Sequence, residues 1–112
     1  MKHVVYVLTD RNRSNLHVGM STDLLKTMEF YAKMPTLFFD PSKQLNRLVY
    51  FEEFSSEQAA ISRFKSLNAF TKMPKQRLVM GVNANWIDLI PALKYEQLQT
   101  QQNWLASFSR VA

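Results

Sequence analysis

The sequence predicts an α+β domain. Three short runs rich in β-branched and aromatic residues, at positions 3–9, 16–20 and 48–51, read as strands. Between and after them, apolar residues recur at helical spacing behind Ser, Thr and Asp residues suited to helix starts. The chain has 112 residues, 46% hydrophobic and 12% aromatic, which is enough for a single core without disulfide support.

His3–Thr9 (His-Val-Val-Tyr-Val-Leu-Thr) is apolar at nearly every position and is expected to form a mostly buried strand. Asp10 to Asn15 is polar turn material and Leu16 to Met20 is a second strand, so the two read as an antiparallel hairpin with a longer loop. Ser21, Thr22 and Asp23 offer oxygens to the unpaired N–H groups of a helix on which Leu24, Leu25, Met28, Tyr31 and Ala32 share a face. Lys33 to Arg47 is a long connection containing Pro35, Pro41 and the apolar patch Leu37-Phe38-Phe39. Leu48 to Phe51 is the third strand. Ser55 with Gln58 fits a capping box opening a helix that ends near Asn68. Pro74 near its start and Gly81 past its end bracket a further helix, and Asn83, Asn85 and Trp86 form a turn. After Ala92 a Gln-rich stretch aligns Leu98, Trp104, Leu105, Phe108 and Val111 on one face of a terminal amphipathic helix. That stripe is expected to pack on its own domain and to be shared with a homodimer interface; an unpacked helix would instead be a ligand for a partner protein.

Composition removes several classes of function. Without cysteine there are no disulfides, thiolate metal sites or thiol nucleophiles, and a reducing cytoplasm is the expected location. No secretory signal is expected in the strand-like N-terminal run, and no window has the roughly 20 apolar residues of a membrane span, so no membrane partner is expected. The net charge of +5 is unevenly placed. Between Glu57 and Asp88 there is no acidic residue, whereas Arg63, Lys65, Lys72, Lys75 and Arg77 all fall there; the remaining 9 basic and 9 acidic residues cancel. Such a cluster is the footprint of a surface facing a polyanion, although it also suits a solvated helix face.

Six segments in order resemble the GIY-YIG nuclease family. Val4-Val5-Tyr6 matches its Tyr-Val-Tyr motif and His17-Val18-Gly19 its Tyr-Ile-Gly motif. Ser21, Asp23 and Leu24 stand where the family has Thr-x-Asp-Leu, and Asn46 to Phe54 is similar to its third strand. Ala60-Ile61-Ser62-Arg63-Phe64-Lys65 resembles the Ala-Ile-Ala-Arg-Glu-Lys helix, and Asn83-Ala84-Asn85-Trp86 an Asn-Pro-Glu-Trp ending. The resemblance implies a three-stranded antiparallel sheet flanked by helices over residues 1–90, with residues 91–112 as an added C-terminal helical extension.

It also implies DNA cleavage by a motif tyrosine and water, an arginine on the phosphate and a glutamate holding one divalent metal. Tyr6 is retained, but His17 replaces the second tyrosine, Thr27 the arginine, Tyr31 a position often held by histidine, and Phe64 the glutamate. Phenylalanine offers no oxygen to a hard cation, and on an arc with Ala60, Ile61 and Leu67 it also reads as plain core. Thr27 cannot offset charge growing on a phosphoryl group, and neighbouring Lys26 lacks the guanidinium fork and reads as a solvated helix residue. His17 titrates near neutrality and suits general base work, yet a partly exposed strand histidine without a catalytic role is the plainer reading. Glu29, Glu52 or Glu53 would serve as ligands only in a different geometry, and His3 is given no role. The expectation is therefore a catalytically impaired or inactive relative, without cofactor, that binds nucleic acid, DNA above all, through Arg63, Lys65, Lys72, Lys75 and Arg77. One alternative is a divergent endonuclease using Tyr6 and His17 with Mg2+ or another divalent cation. The other is a protein-interaction module using Phe38, Phe39 and the terminal helix.

Overall fold

The computed structural model describes residues 2–33, 45 and 47–98. Three strands, β1 (His3–Thr9), β2 (Leu16–Ser21) and β3 (Arg47–Phe54), pair antiparallel in the order β2-β1-β3. The helices are α1 (Leu24–Lys33), α2 (Glu57–Asn68), α3 (Lys72–Val82) and α4 (90–98). The expected α+β architecture is the observed one.

Strand β1 lies in the centre and is buried from Val4 to Thr9, which is why its sequence is a continuous apolar run rather than an alternating one. Val5 and Val7 point to one face, where they join Val18, Val49 and Tyr50 beneath Ala60 and Leu67 of α2, Val79 of α3, and Trp86. Val4, Tyr6 and Leu8 point to the other, against Leu24 and Met28 of α1 and Leu48. Partly buried Leu89, Ile90 and Leu93 extend this second cluster, so the first turn of α4 packs on the domain. Helices thus cover both faces of the sheet.

Strand β3 runs farther than its apolar centre suggests. Glu52, Glu53 and Phe54 continue the ladder opposite Val5, Val4 and His3. A register shift between Val7 and Leu8, which pair with Tyr50 and Leu48, leaves Val49 as the extra residue.

The helix ends agree with the expected start of α1 and correct two other expectations. Asp23 caps α1 by accepting from Lys26 N at 3.2 Å, while Ser21 Oγ accepts from Asp23 N at 2.9 Å. Helix α2 is capped by Ser56, whose Oγ accepts from Ala59 N at 3.3 Å, and not by Ser55 with Gln58. The adjacent serines offer the same chemistry, and burial of Ala60 and Leu67 fixes the phase. Gly81 lies inside the last turn of α3 rather than beyond it; the helix ends at Asn83. Of the terminal stripe only Leu98 is described, and it is exposed. Phe38, Phe39, Trp104, Leu105, Phe108 and Val111 lie outside the described residues.

Buried Asn83 ties the end of α3 to the sheet. Its Nδ2 donates to Val49 O at 3.0 Å and to Ile87 O at 2.8 Å, and its Oδ1 accepts from Ile87 N at 3.0 Å. Leaving such buried groups without partners costs about 1–3 kcal/mol. Asn83→Ala should therefore lower unfolding free energy by about that amount in a denaturant titration. Asn83→Asp should cost more, because a carboxylate would face two carbonyl oxygens.

Candidate functional site

The two motif positions Tyr6 and His17 share a face of the sheet. Tyr6 lies opposite Gly19 and His17 opposite Leu8, and alternation along β2 sends His17 and Gly19 to the side away from Val18. The Tyr6 ring lies directly over Gly19. A methyl group built there would sit 2.3 Å from both Cζ and Oη of the phenol. Gly19 is needed for this close approach, since its φ is not positive.

From α1, Tyr31 reaches the same place. Its hydroxyl is 3.5 Å from the Tyr6 hydroxyl and 3.2 Å from His17 Nε2, and its ring meets the imidazole edge-on with centroids 6.1 Å apart. The sequence marked Tyr31 as a replaced position on the apolar face of α1; in the fold it is the link between the other two. Its place three residues after Met28 on the buried face of α1 was the available signal.

These groups are not tuned for base catalysis. Burial, followed by the hydroxyl of Tyr31, raises the Tyr6 pKa well above that of a free phenol, so Tyr6 stays protonated throughout the physiological range. Partial burial, then the positive charge of Lys75, lowers the pKa of His17 below its ordinary value. A neutral imidazole can accept a proton, but the depressed pKa makes it a weaker base. Among the described residues no carboxylate acts electrostatically on either side chain.

The described residues do not fit the divalent cation that the resemblance implies. Phe64 packs with the cluster of Val5, Val7 and Val18, on the face opposite Tyr6, so it does not complete a pocket with Tyr6 and His17. Thr27 lies toward the other end of the sheet, lining an open cleft with His3, Met20, Ser21, Thr22 and Glu57. There its Oγ1 is 2.6 Å from Ser21 Oγ and donates to Asp23 O at 3.0 Å. Glu52 accepts from Tyr50 and, through both carboxylate oxygens, from Arg63 Nε and Nη2 at 3.0 Å each. Burial pushes the Glu52 pKa up, but the bonds from Arg63 and Tyr50 more than offset this and hold it low; burial and then Glu52 push Tyr50 to about 12. Glu53 pairs with Lys2 at 2.9 Å, and Glu29 is exposed on α1. No group of three or more His, Cys, Asp or Glu side chains suited to a metal ion occurs among the described residues.

The five basic residues singled out by sequence are divided by the fold. Arg63 is committed to Glu52. At about 100° per residue, Lys72 and Lys75 lie about 60° apart on α3, whereas Arg77 lies about 160° from Lys75. Lys75 is half-buried beside His17, and Lys65 is exposed on α2.

No family model matches the chain, and no curated protein matches it. Among solved structures, it is similar to the solution NMR structure of the UPF0213 protein BH0048 from Bacillus halodurans, with a TM-score of 0.52 and 20% identity. The match covers 79% of this chain and 93% of that one. UPF0213 proteins have the GIY-YIG-like fold, so this likeness agrees with the fold resemblance read from the motifs. At this identity it concerns the fold alone.

Gly19→Ala should displace the Tyr6 ring, because a backbone-fixed methyl cannot yield. The expected cost is about 1–3 kcal/mol, typical of overpacking. Adding Tyr6→Leu should recover part of that loss, giving a measurable coupling in a double-mutant cycle of melting experiments.

Proposed function

We propose that the chain is a nuclease-fold protein that binds nucleic acid without cutting it. One observation carries the reading: the Tyr31 hydroxyl lies between Tyr6 and His17, and among the described residues no carboxylate bonds to Tyr6 or His17. Phosphodiester hydrolysis needs a group to activate water and a charge to stabilise the phosphoryl oxygens. Tyr6 stays protonated, Thr27 is neutral, and Phe64 belongs to the opposite face. Binding needs less, because phosphate contacts require only positive charge within reach. The net charge of +5, together with Lys72 and Lys75, whose side chains have no ion-pair partner among the described residues, supports that part. No helix among the described residues is long and apolar enough to cross a membrane.

Purified protein incubated with supercoiled and branched DNA in magnesium or manganese should leave the substrates intact. Metal-dependent cleavage that disappears in Tyr6→Phe or His17→Ala would overturn the reading in favour of a divergent endonuclease. Phe64→Glu combined with Thr27→Arg should likewise give no cleavage, since the two positions do not converge on Tyr6. That double variant should also melt at a lower temperature. Loss of a fully buried aromatic costs about 3–5 kcal/mol, and partly buried Phe64 should cost less.

A further inference from the structure

The sheet carries a cationic end that the charge pattern along the sequence does not reveal. Thr9, the last residue of β1, lies opposite both Leu16 and Arg47, so the loop 10–15 and Arg47 share that end. His17 is one pair further in, and Lys75 is near enough to affect its charge, which brings the first half of α3 to the same end. The guanidinium carbon of Arg13 lies 5.5 Å from the centre of the Trp86 ring, adding the connection after α3. Arg11, Arg13, Arg47, Lys72 and Lys75 therefore gather around one end of the sheet. None of their side chains has a hydrogen-bond or ion-pair partner among the described residues.

The loop between β1 and β2 is held rather than loose. Buried Asp10 accepts from Asn12 N at 3.1 Å, Ser14 N at 2.9 Å, Ser14 Oγ at 2.9 Å and Asn15 Nδ2 at 2.8 Å. Burial works to raise its pKa, but these bonds together bring it below the ordinary carboxylate value, so Asp10 is ionised and turned inward. Asp88, the other acid at this end, accepts from Leu48 N at 3.2 Å and Ile90 N at 3.1 Å. Both acids accept from backbone N–H groups, and the only charged side chains exposed on the loop 11–15 are the cations Arg11 and Arg13.

Arg13 and Trp86 are the two described non-glycine residues with positive φ, at 58° and 55°, and they touch each other. One simple role for Arg13 is to cover the indole, and the contact does that. It also holds a planar guanidinium near the indole while its N–H donors have no partner among the described residues. A fork held in this way loses less freedom on meeting a phosphate than a free side chain does.

We infer that the loop bearing Arg11 and Arg13, with Lys72 and Lys75 beside it, is the surface that contacts the sugar–phosphate backbone of a nucleic acid. This deepens the binding reading above and rests on it. The positions outside this surface, Lys65 and Arg77, make no comparable contribution.

The test is fluorescence polarisation with the full chain over a salt series. The probes are a labelled single-stranded DNA, its duplex, and an RNA of the same sequence. Arg11→Ala with Arg13→Ala should weaken binding at low salt and reduce the slope of log affinity against log salt by about 2, one for each lost contact. Arg13→Lys should fall between this variant and wild type, since it keeps the charge and loses the planar guanidinium fork. Lys65→Ala with Arg77→Ala should remain near wild type. Similar losses on all three probes indicate contact with the shared backbone; a loss confined to one identifies the strand form bound at this end.

Should the double loop variant melt early, Arg11→Glu carries the test, because that side chain is exposed and has no partner to lose. Wild-type protein that binds while the loop variants match it in affinity and slope overturns this inference and leaves the binding reading standing. Wild-type protein that binds none of the probes at low salt overturns both.

Discussion

The packing of the Tyr6 ring on Gly19 organises this molecule. β1 is buried on both faces, so every large side chain on it must find room between the sheet and a helix. Tyr6 finds it by lying flat across the neighbouring strand, which only a residue without Cβ permits. The ring's position then determines what α1 can present. Met28 fills the cluster beside it, and Tyr31, one turn on, brings its hydroxyl to the Tyr6 hydroxyl and His17. Moving the ring would disturb a helix contact and a polar contact together.

The two faces of the sheet carry separate polar groups. On one, Tyr31 links Tyr6 and His17, and burial favours the uncharged forms of those two groups. On the other, Tyr50, Glu52 and Arg63 join β3 to α2 through a bidentate ion pair. A nuclease site needs both kinds of chemistry converging on one phosphate, and here the carboxylate and the guanidinium neutralise each other on the face away from Tyr6. The same pairing removes Arg63 from the cations free to meet a polyanion. This division gives physical content to the proposal of binding without cleavage.

Much of the fold was legible because the pattern was local. The apolar run of β1, the oxygens before α1 and the face formed by Leu24 and Met28 each follow from neighbouring residues. What depended on register or on distant partners was not. β3 extends past Phe51 because charged Glu52 and Glu53 keep pairing with β1, a continuation that charge disguises in sequence. Ser55 and Ser56 differ as caps only through the phase of residues buried later in α2. At the site, Tyr6 and His17 do come together, but the face occupied by Phe64 could be known only from how α2 docks. Arg63 reads as a free cation until β3 brings Glu52 beneath it. Arg11 and Arg13 read as turn polarity until pairing of Thr9 with both outer strands puts them beside Arg47.

The central claim is that the Tyr6–Tyr31–His17 group forms a neutral network that holds no divalent cation. NMR of the full chain, following the His17 imidazole and the Tyr6 and Tyr31 ring signals during a manganese titration, tests it most directly. Paramagnetic broadening should be diffuse and weak, with exposed Glu29 and Glu57 affected before these rings. Sharp, saturable broadening centred on Tyr6 and His17 and abolished by His17→Ala would contradict the account. It would mean that the network opens to take a metal.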